Sequence, residues 1–347
     1  MKRQKVSLLA LSALLFAGCG TASTVSNKEP VLEKEESMTE STIENTNEDA
    51  IKEAIQQETS KVGDEVVSLP EEEADSDRVP TAEIDTTIPV KYINLRFKEA
   101  GTIQDITYTS KDYFGDGKDV EKKAHVYLPY GYDESKEYCV LYLMHGIGGD
   151  EDEWGMNGSS SKVKTIMDNL SYYGDIDSFI VVTPNGRSAT NHAKDSDYNS
   201  FYCFGEELRN DLIPYIDSHY STIADRDHRA MAGLSMGGMQ TINIGIGECV
   251  DLFGYFGAFS AAPTSNPATK TAEILADNTL PIHYFYNICG TEDGIAYASS
   301  STAAKNLPEV CDQFQYGENF MWQELPGAHD FNIWYLGFYN FAQIAFK

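Results

Sequence analysis

Hydrophobic and polar positions divide the chain into three stretches of different character. Val6 to Gly18 is a mostly apolar run behind a basic start. From Gly20 to Val90 polar and acidic residues dominate, and Glu48–Val62 has at most the composition of a short charged helix. After Val90 regular periods begin. Ile103–Ser110 alternates as a strand does, Phe114–Lys118 with its Gly-Asp-Gly reads as a turn, and Lys123–Leu128 reads as a second strand. Cys139–Met144 is a continuous apolar run, as expected for a strand buried on both faces. Further strands are predicted over Ser178–Thr183, Ala230–Leu234, Gly254–Ser260, His283–Cys289 and Phe320–Glu324. Helical spacing covers Ser161–Tyr173, Phe204–Tyr220, Met236–Ile246, Thr302–Phe314 and Phe331–Phe346. Apolar strands alternating with helices predict an α/β fold. Its central sheet is mostly parallel, with helices on both faces and an antiparallel N-terminal edge made by the first two strands.

Composition draws the same boundaries. The 347 residues carry a formal net charge of −28, with 54 acidic and 26 basic side chains. The 71 residues of 20–90 contain no aromatic side chain and 19 acidic residues against 5 basic ones. Such a segment cannot bury enough apolar surface to offset its ordering entropy, so it is expected to be a solvated linker. As a random coil it would span roughly 45 Å, and self-repulsion would extend it further. The remaining 257 residues, 91–347, are enough for one sizeable core. They carry 35 acidic and 18 basic residues, which excludes a nucleic-acid binder, since phosphate contacts need clustered Lys and Arg. The expected organisation is an export segment over 1–19, a linker over 20–90 and one domain over 91–347.

The first residues read as an address. Lys2, Arg3 and Lys5 precede the apolar run, which at 13 residues is shorter than the roughly 20 that span a bilayer. Leu15-Phe16-Ala17-Gly18-Cys19 resembles the lipobox of bacterial lipoproteins, with Phe16 in place of the usual Leu. That resemblance implies lipidation at Cys19 and an exported chain anchored to the cell membrane and facing outward. Plain secretion, with cleavage near Ala17 or Gly20, is the alternative. The other five cysteines show no CxxC or zinc spacing and are too sparse for a disulfide framework, so buried free thiols are expected.

Chemistry concentrates after the second strand. Gly233-Leu234-Ser235-Met236-Gly237 matches G-x-S-x-G where a strand turns directly into a helix, an arrangement that exposes a serine Oγ at the sheet edge. Ser235 is the candidate nucleophile, and a serine hydroxyl needs a base. In folds built on such an elbow the acid and base follow the serine, which leaves His283 and His329 among seven histidines. His283 falls inside an apolar strand and reads as a core histidine; His329, in Pro326-Gly327-Ala328-His329-Asp330, reads as a loop base. Gly290-Thr291-Glu292-Asp293-Gly294 offers two carboxylates for the orienting acid, and the shorter Asp293 is preferred to Glu292. Asp330 reads as a helix N-cap. Oxyanion donors are expected from the backbone N–H of Met236 and of Ile147, in His145-Gly146-Ile147-Gly148-Gly149. His145 precedes the serine and reads as structural. Trp154 could stack on a substrate ring or serve as a packed anchor, and the loop over 184–200 could wall the cleft. Asp112–Asp119 lacks calcium-loop spacing.

Four segments, LMHGIGGDEDEW (143–154), AGLSMGG (232–238), CGTEDG (289–294) and GAHDFNIW (327–334), together resemble an esterase family of the α/β-hydrolases. That family includes esterase D, the mycolyltransferases and the carbohydrate esterase family 1 enzymes, and the likeness is greatest to feruloyl esterase domains of bacterial xylanases. The resemblance covers nearly all of 101–347. It implies the α/β-hydrolase fold, a Ser235–Asp293–His329 triad, oxyanion donors at Ile147 and Met236, and no metal or organic cofactor. Its implied substrate is an acyl ester on plant cell-wall polysaccharide, feruloylated or acetylated xylan. An acetylxylan esterase is the close alternative, and a non-catalytic surface glycan-binding protein is the alternative from another class.

Overall fold

The computed structural model describes residues 84–347. The expected export segment, Cys19 and the linker up to residue 83 lie outside the described residues. Eight strands form one sheet: β1 (Thr102–Lys111), β2 (Asp119–Leu128), β3 (Val140–Met144), β4 (Ile180–Pro184), β5 (Arg229–Leu234), β6 (Tyr255–Phe259), β7 (Tyr284–Gly290) and β8 (Phe320–Leu325). Their order is β1-β2-β4-β3-β5-β6-β7-β8. β1 pairs antiparallel with β2 and β2 with β4, while every pairing from β4 through β3 to β8 is parallel. The expected mixed sheet with an antiparallel N-terminal edge is what forms.

The continuous apolar runs are explained by burial on both faces. Every residue of β3 to β7 is buried. Val140, Tyr142 and Met144 of β3 enter one core, and Leu141 and Leu143 enter the other. Helices close both sides. α1 (Lys162–Tyr173) buries Val163, Ile166, Met167 and Leu170; Ser161 Oγ caps it by accepting the Lys164 N–H at 3.3 Å, and Gly174, at φ 76°, ends it. Each such aliphatic side chain contributes about 1.5–3 kcal/mol on burial.

Three predicted helices differ in detail. The helix from Phe204 widens into a π turn over Leu208–Leu212 before resuming as Ile213–His219, where Pro214 has no N–H to continue the ladder. The helix after Ser235 is α-helical only over Met236–Gln240 (α2) and π-helical over Thr241–Ile246. Thr302–Phe314 is not one helix but two, Tyr297–Ala304 and Leu307–Val310, because Pro308 is tolerated only in a first turn. Ala268–Ile274 is a helix that the pattern does not predict; it buries only Ala268 and Thr271, so it has no apolar period to read.

Residues 84–90, assigned by composition to the linker, are held on the folded unit. Asp85 donates its N–H to Asn340 Oδ1 at 3.1 Å, and its carbonyl accepts from Asn340 Nδ2 and Gln323 Nε2, each at 2.9 Å. Its carboxylate accepts from Tyr339 Oη at 2.9 Å. Ile84 and Ile88 pack on the core beside them. A single aspartate makes this latch, and composition averages over it.

Candidate active site

β5 runs straight into α2 through Ser235, whose φ of 51° and ψ of −112° are costly for any residue with a Cβ. Neighbouring bonds hold it there. The Ser235 N–H donates to the Phe259 carbonyl at 2.9 Å, and its carbonyl accepts from Met239 at 3.0 Å and Ala262 at 2.9 Å. Gly237 permits the turn to press on β3, since a Cβ there would lie 2.6 Å from the Met144 carbonyl oxygen.

His329 comes from the loop between β8 and α3 (Phe331–Ile344), which Asp330 caps by accepting the Asn332 N–H at 2.8 Å. His329 Nε2 lies 3.1 Å from Ser235 Oγ and Nδ1 lies 2.7 Å from Asp293 Oδ2. The three side chains form one relay, with the serine hydroxyl donating to Nε2 and Nδ1–H donating to the carboxylate. The Trp334 ring stands edge to face against the imidazole at 5.0 Å. Burial opposes ionisation of Asp293, but the Ala296 N–H and His329 outweigh it and hold the carboxyl below its ordinary range. Ala296 and Ile295 donate to Oδ1 at 2.8 and 3.0 Å. Glu292 is exposed, and only its backbone matters: its N–H bonds to the Gly327 carbonyl at 2.9 Å, stitching the acid loop to the histidine loop. Gly290 makes that stitch possible, because a Cβ there would sit 2.1 Å from Gly327 O.

Two residues without a sequence signal support the acid. Cys289 Sγ lies 3.7 Å from Asp293 Oδ2 and 3.8 Å from Ser260 Oγ, and burial pushes its thiol up to about 12, so it stays protonated. Ser260 sits at φ 48° with its N–H on the Ile288 carbonyl at 2.8 Å. His283 precedes β7 at the opposite edge of the sheet, half-buried and 2.8 Å from Asp227, not inside the strand as the pattern implied.

The loop after β3 passes directly against Ser235: a Cβ on Gly146 would lie 3.3 Å from Ser235 Cβ. Ile147 is half exposed, and neither its N–H nor that of Met236 donates to any acceptor among the described residues. His145 is buried. Its Nε2 accepts the Gly186 N–H at 2.8 Å, so Nδ1 carries the proton and donates to the Gly146 carbonyl at 2.7 Å. Burial pushes this imidazole down to about 3, so it remains neutral. Glu153 accepts the Gly146 N–H at 2.5 Å.

Trp154 is fully buried and is not a substrate contact. Its Nε1–H donates to the Met144 carbonyl at 3.0 Å, and Phe259, Phe331, Tyr335 and Phe338 surround the indole. An apolar ring five residues after Gly149 has a core to fill, and that core takes it. The first part of the loop over 184–200 is likewise buried from Asn185 to Ala189, and Gly186 and Arg187 bond to the segment 145–149.

Residues 119–335 match the family described as Putative esterase. Over 254 residues the chain is 35% identical to an endo-1,4-beta-xylanase/feruloyl esterase of Xylanibacter ruminicola, covering 71% of this chain and 32% of that one. It is 33% identical over 263 residues to endo-1,4-beta-xylanase Y of Acetivibrio thermocellus, covering 69% and 22%. The chain therefore spans about a third or less of the length of these curated relatives. Among solved structures it resembles a CE1 ferulic acid esterase of Anaeromyces mucronatus in complex with ferulic acid. The TM-score is 0.62 at 32% identity, covering 76% of this chain and 98% of that one.

Proposed function

The chain belongs to the Putative esterase family, and on that footing we propose that it is a serine carboxylic-ester hydrolase releasing feruloyl groups from plant cell-wall xylan. The observation that carries this reading is the Asp293–His329–Ser235 relay at the strand–helix elbow. His329 takes the proton of Ser235 Oγ as the oxygen attacks the ester carbonyl. The N–H groups of Ile147 and Met236 receive the oxyanion, and Asp293 keeps the imidazole in the tautomer that can accept at Nε2. The tetrahedral intermediate collapses, the sugar alcohol leaves with the proton from His329, and the acyl group stays on Ser235. Water, deprotonated by His329, then releases the hydroxycinnamic acid and regenerates the serine. The ferulic acid complex of the similar fungal enzyme and the xylanase/feruloyl esterase relative support the choice of acyl group.

Rates on methyl ferulate, acetylated xylan and p-nitrophenyl acetate, with Ser235→Ala alongside, test the proposal. Ferulate release that vanishes in the variant is expected. Acetyl release without ferulate release would make it an acetylxylan esterase instead, and no turnover of any ester would leave a glycan-binding protein.

We propose further that the enzyme acts outside the cell. Lys2, Arg3 and Lys5, the apolar run to Gly18 and Cys19 support an exported lipoprotein whose domain is carried on an acidic tether. Mass spectrometry of membrane-extracted protein checks it: a lipid-modified Cys19 is expected, and an unmodified N-terminus rules the anchor out.

A further inference from the structure

A cation lies under the glycine loop. Arg187 is fully buried, yet it forms no ion pair among the described residues. Its guanidinium spends its donors on backbone carbonyls: Nη1 on Gly149 at 2.7 Å, and Nη2 on Ile147 and on Lys194, the last at 3.0 Å. Its Nε–H has no partner. The carboxylate of Asp150, next to the loop, pairs instead with Lys194 at 3.3 Å. Asp150, Glu153, Asp195 and Glu151 lie close enough to favour the charge without touching it, yet burying a guanidinium against carbonyls alone is expensive, so its retention needs a reason beyond packing.

The loop geometry supplies one. The Gly146 carbonyl is taken by His145 Nδ1–H at 2.7 Å and by the Gly149 N–H at 3.2 Å. Ile147 N–H shares a trans peptide with that carbonyl and so points the opposite way. Arg187 draws the Ile147 and Gly149 carbonyls to itself, so these two and the Gly146 carbonyl are all engaged within the protein. The N–H groups of Ile147 and Gly148 have no acceptor among the described residues, on a loop that comes against Ser235 at Gly146. Phe201 supports the arrangement from below, with the guanidinium 4.6 Å from its ring centroid and the His145 ring 5.4 Å away.

We infer that Arg187 is a positioning residue for ester hydrolysis, aiming the Ile147 N–H at the oxyanion by holding the carbonyls on the other side of the loop. This rests on the esterase reading above. Peptide dipoles lined up by a cation act on charge that develops in the transition state more than on the neutral ester, so the effect falls on kcat and little on KM.

The experiment uses the full chain with Arg187→Met, Arg187→Lys and Ser235→Ala. It measures kcat and KM on p-nitrophenyl acetate and methyl ferulate, and inhibition by phenylboronic acid, which becomes a tetrahedral anion on the serine. Arg187→Met is expected to lower kcat about 30- to 100-fold, change KM less than about threefold and weaken boronate inhibition by the same factor as kcat. Arg187→Lys keeps the charge but reaches fewer carbonyls, and should recover part of both. The inference fails if Arg187→Met keeps kcat within threefold, or loses kcat with boronate affinity unchanged. Should circular dichroism show Arg187→Met unfolded, Arg187→Lys decides by the same two readouts: kcat and boronate affinity falling together support the inference, and a change in KM alone overturns it. Activity persisting in Ser235→Ala would instead indict the esterase reading itself.

Discussion

His329 Nε2 lies 3.1 Å from Ser235 Oγ across 94 residues of chain, and the Asp293 carboxylate holds the far side of the same ring at 2.7 Å. Geometry this close means the three act as a unit, and their losses will not add. Ser235→Ala and His329→Ala are each expected to lower kcat on p-nitrophenyl acetate by about 10⁴-fold or more, and the double variant by no more than the worse single one. Asp293→Asn, which can stabilise the wrong tautomer, should cost about 10³- to 10⁴-fold. Additive losses in steady-state kinetics would show that the relay is not one device.

His145 links stability to pH. Its ordinary pKa of 6.5 falls to about 3 in the fold, where burial disfavours the charged ring. Below pH 6.5 the unfolded chain takes up a proton that the folded chain refuses. Stability therefore drops as pH falls from 6.5 toward 3, by about 2 kcal/mol at pH 5. Urea denaturation of the protein and of His145→Gln at pH 5 and pH 7.5 checks this. The variant should lose the difference that one histidine makes; an unchanged pH slope would contradict the assignment.

Lys122 and Glu207 form a fully buried pair at 3.0 Å. Tyr108 Oη and Ser188 Oγ, each at 2.6 Å, also donate to that carboxylate. Burial pushes the Lys122 ammonium below its ordinary range, and Glu207 opposes this. Removing one partner strands the other: Lys122→Met should cost about 3–5 kcal/mol in chemical denaturation. The double variant with Glu207→Gln should recover part of that loss, since no charge is then left unpaired.

Trp154 separates packing from recognition. Trp154→Ala should cost about 3–5 kcal/mol of stability by opening a cavity among four aromatic rings. Trp154→Phe keeps most of the volume, and its KM for methyl ferulate should match that of the unaltered protein. A severalfold rise in KM with unchanged stability would restore the indole as a substrate contact.

The relay was legible because each member sits in a local pattern that needs no partner to be seen. Gly233 to Gly237 marks the elbow, His329 follows a strand between glycine and a helix cap, and Asp293 precedes Gly294 at the end of β7. Cys289, Ser260, Glu153 and Arg187 were not legible. Their roles come from what faces them: a carboxylate 3.7 Å away, a peptide N–H, a set of carbonyls. Asp85 escaped for the related reason that an acidic residue at the end of an acidic stretch gives no sign of the three side chains that hold it.

By itself the sequence determined the mixed sheet, the helices of strong period and which three side chains meet in the relay. Each depends on residues adjacent in the chain, where hydrophobic period, glycine and chain order act directly. Tertiary structure alone decided which way side chains face. It turned Trp154 into the core, set Arg187 against the carbonyls of the glycine loop and brought Gly290 against Gly327. Those outcomes depend on the packing of segments far apart in the chain, and no local pattern encodes where such segments meet.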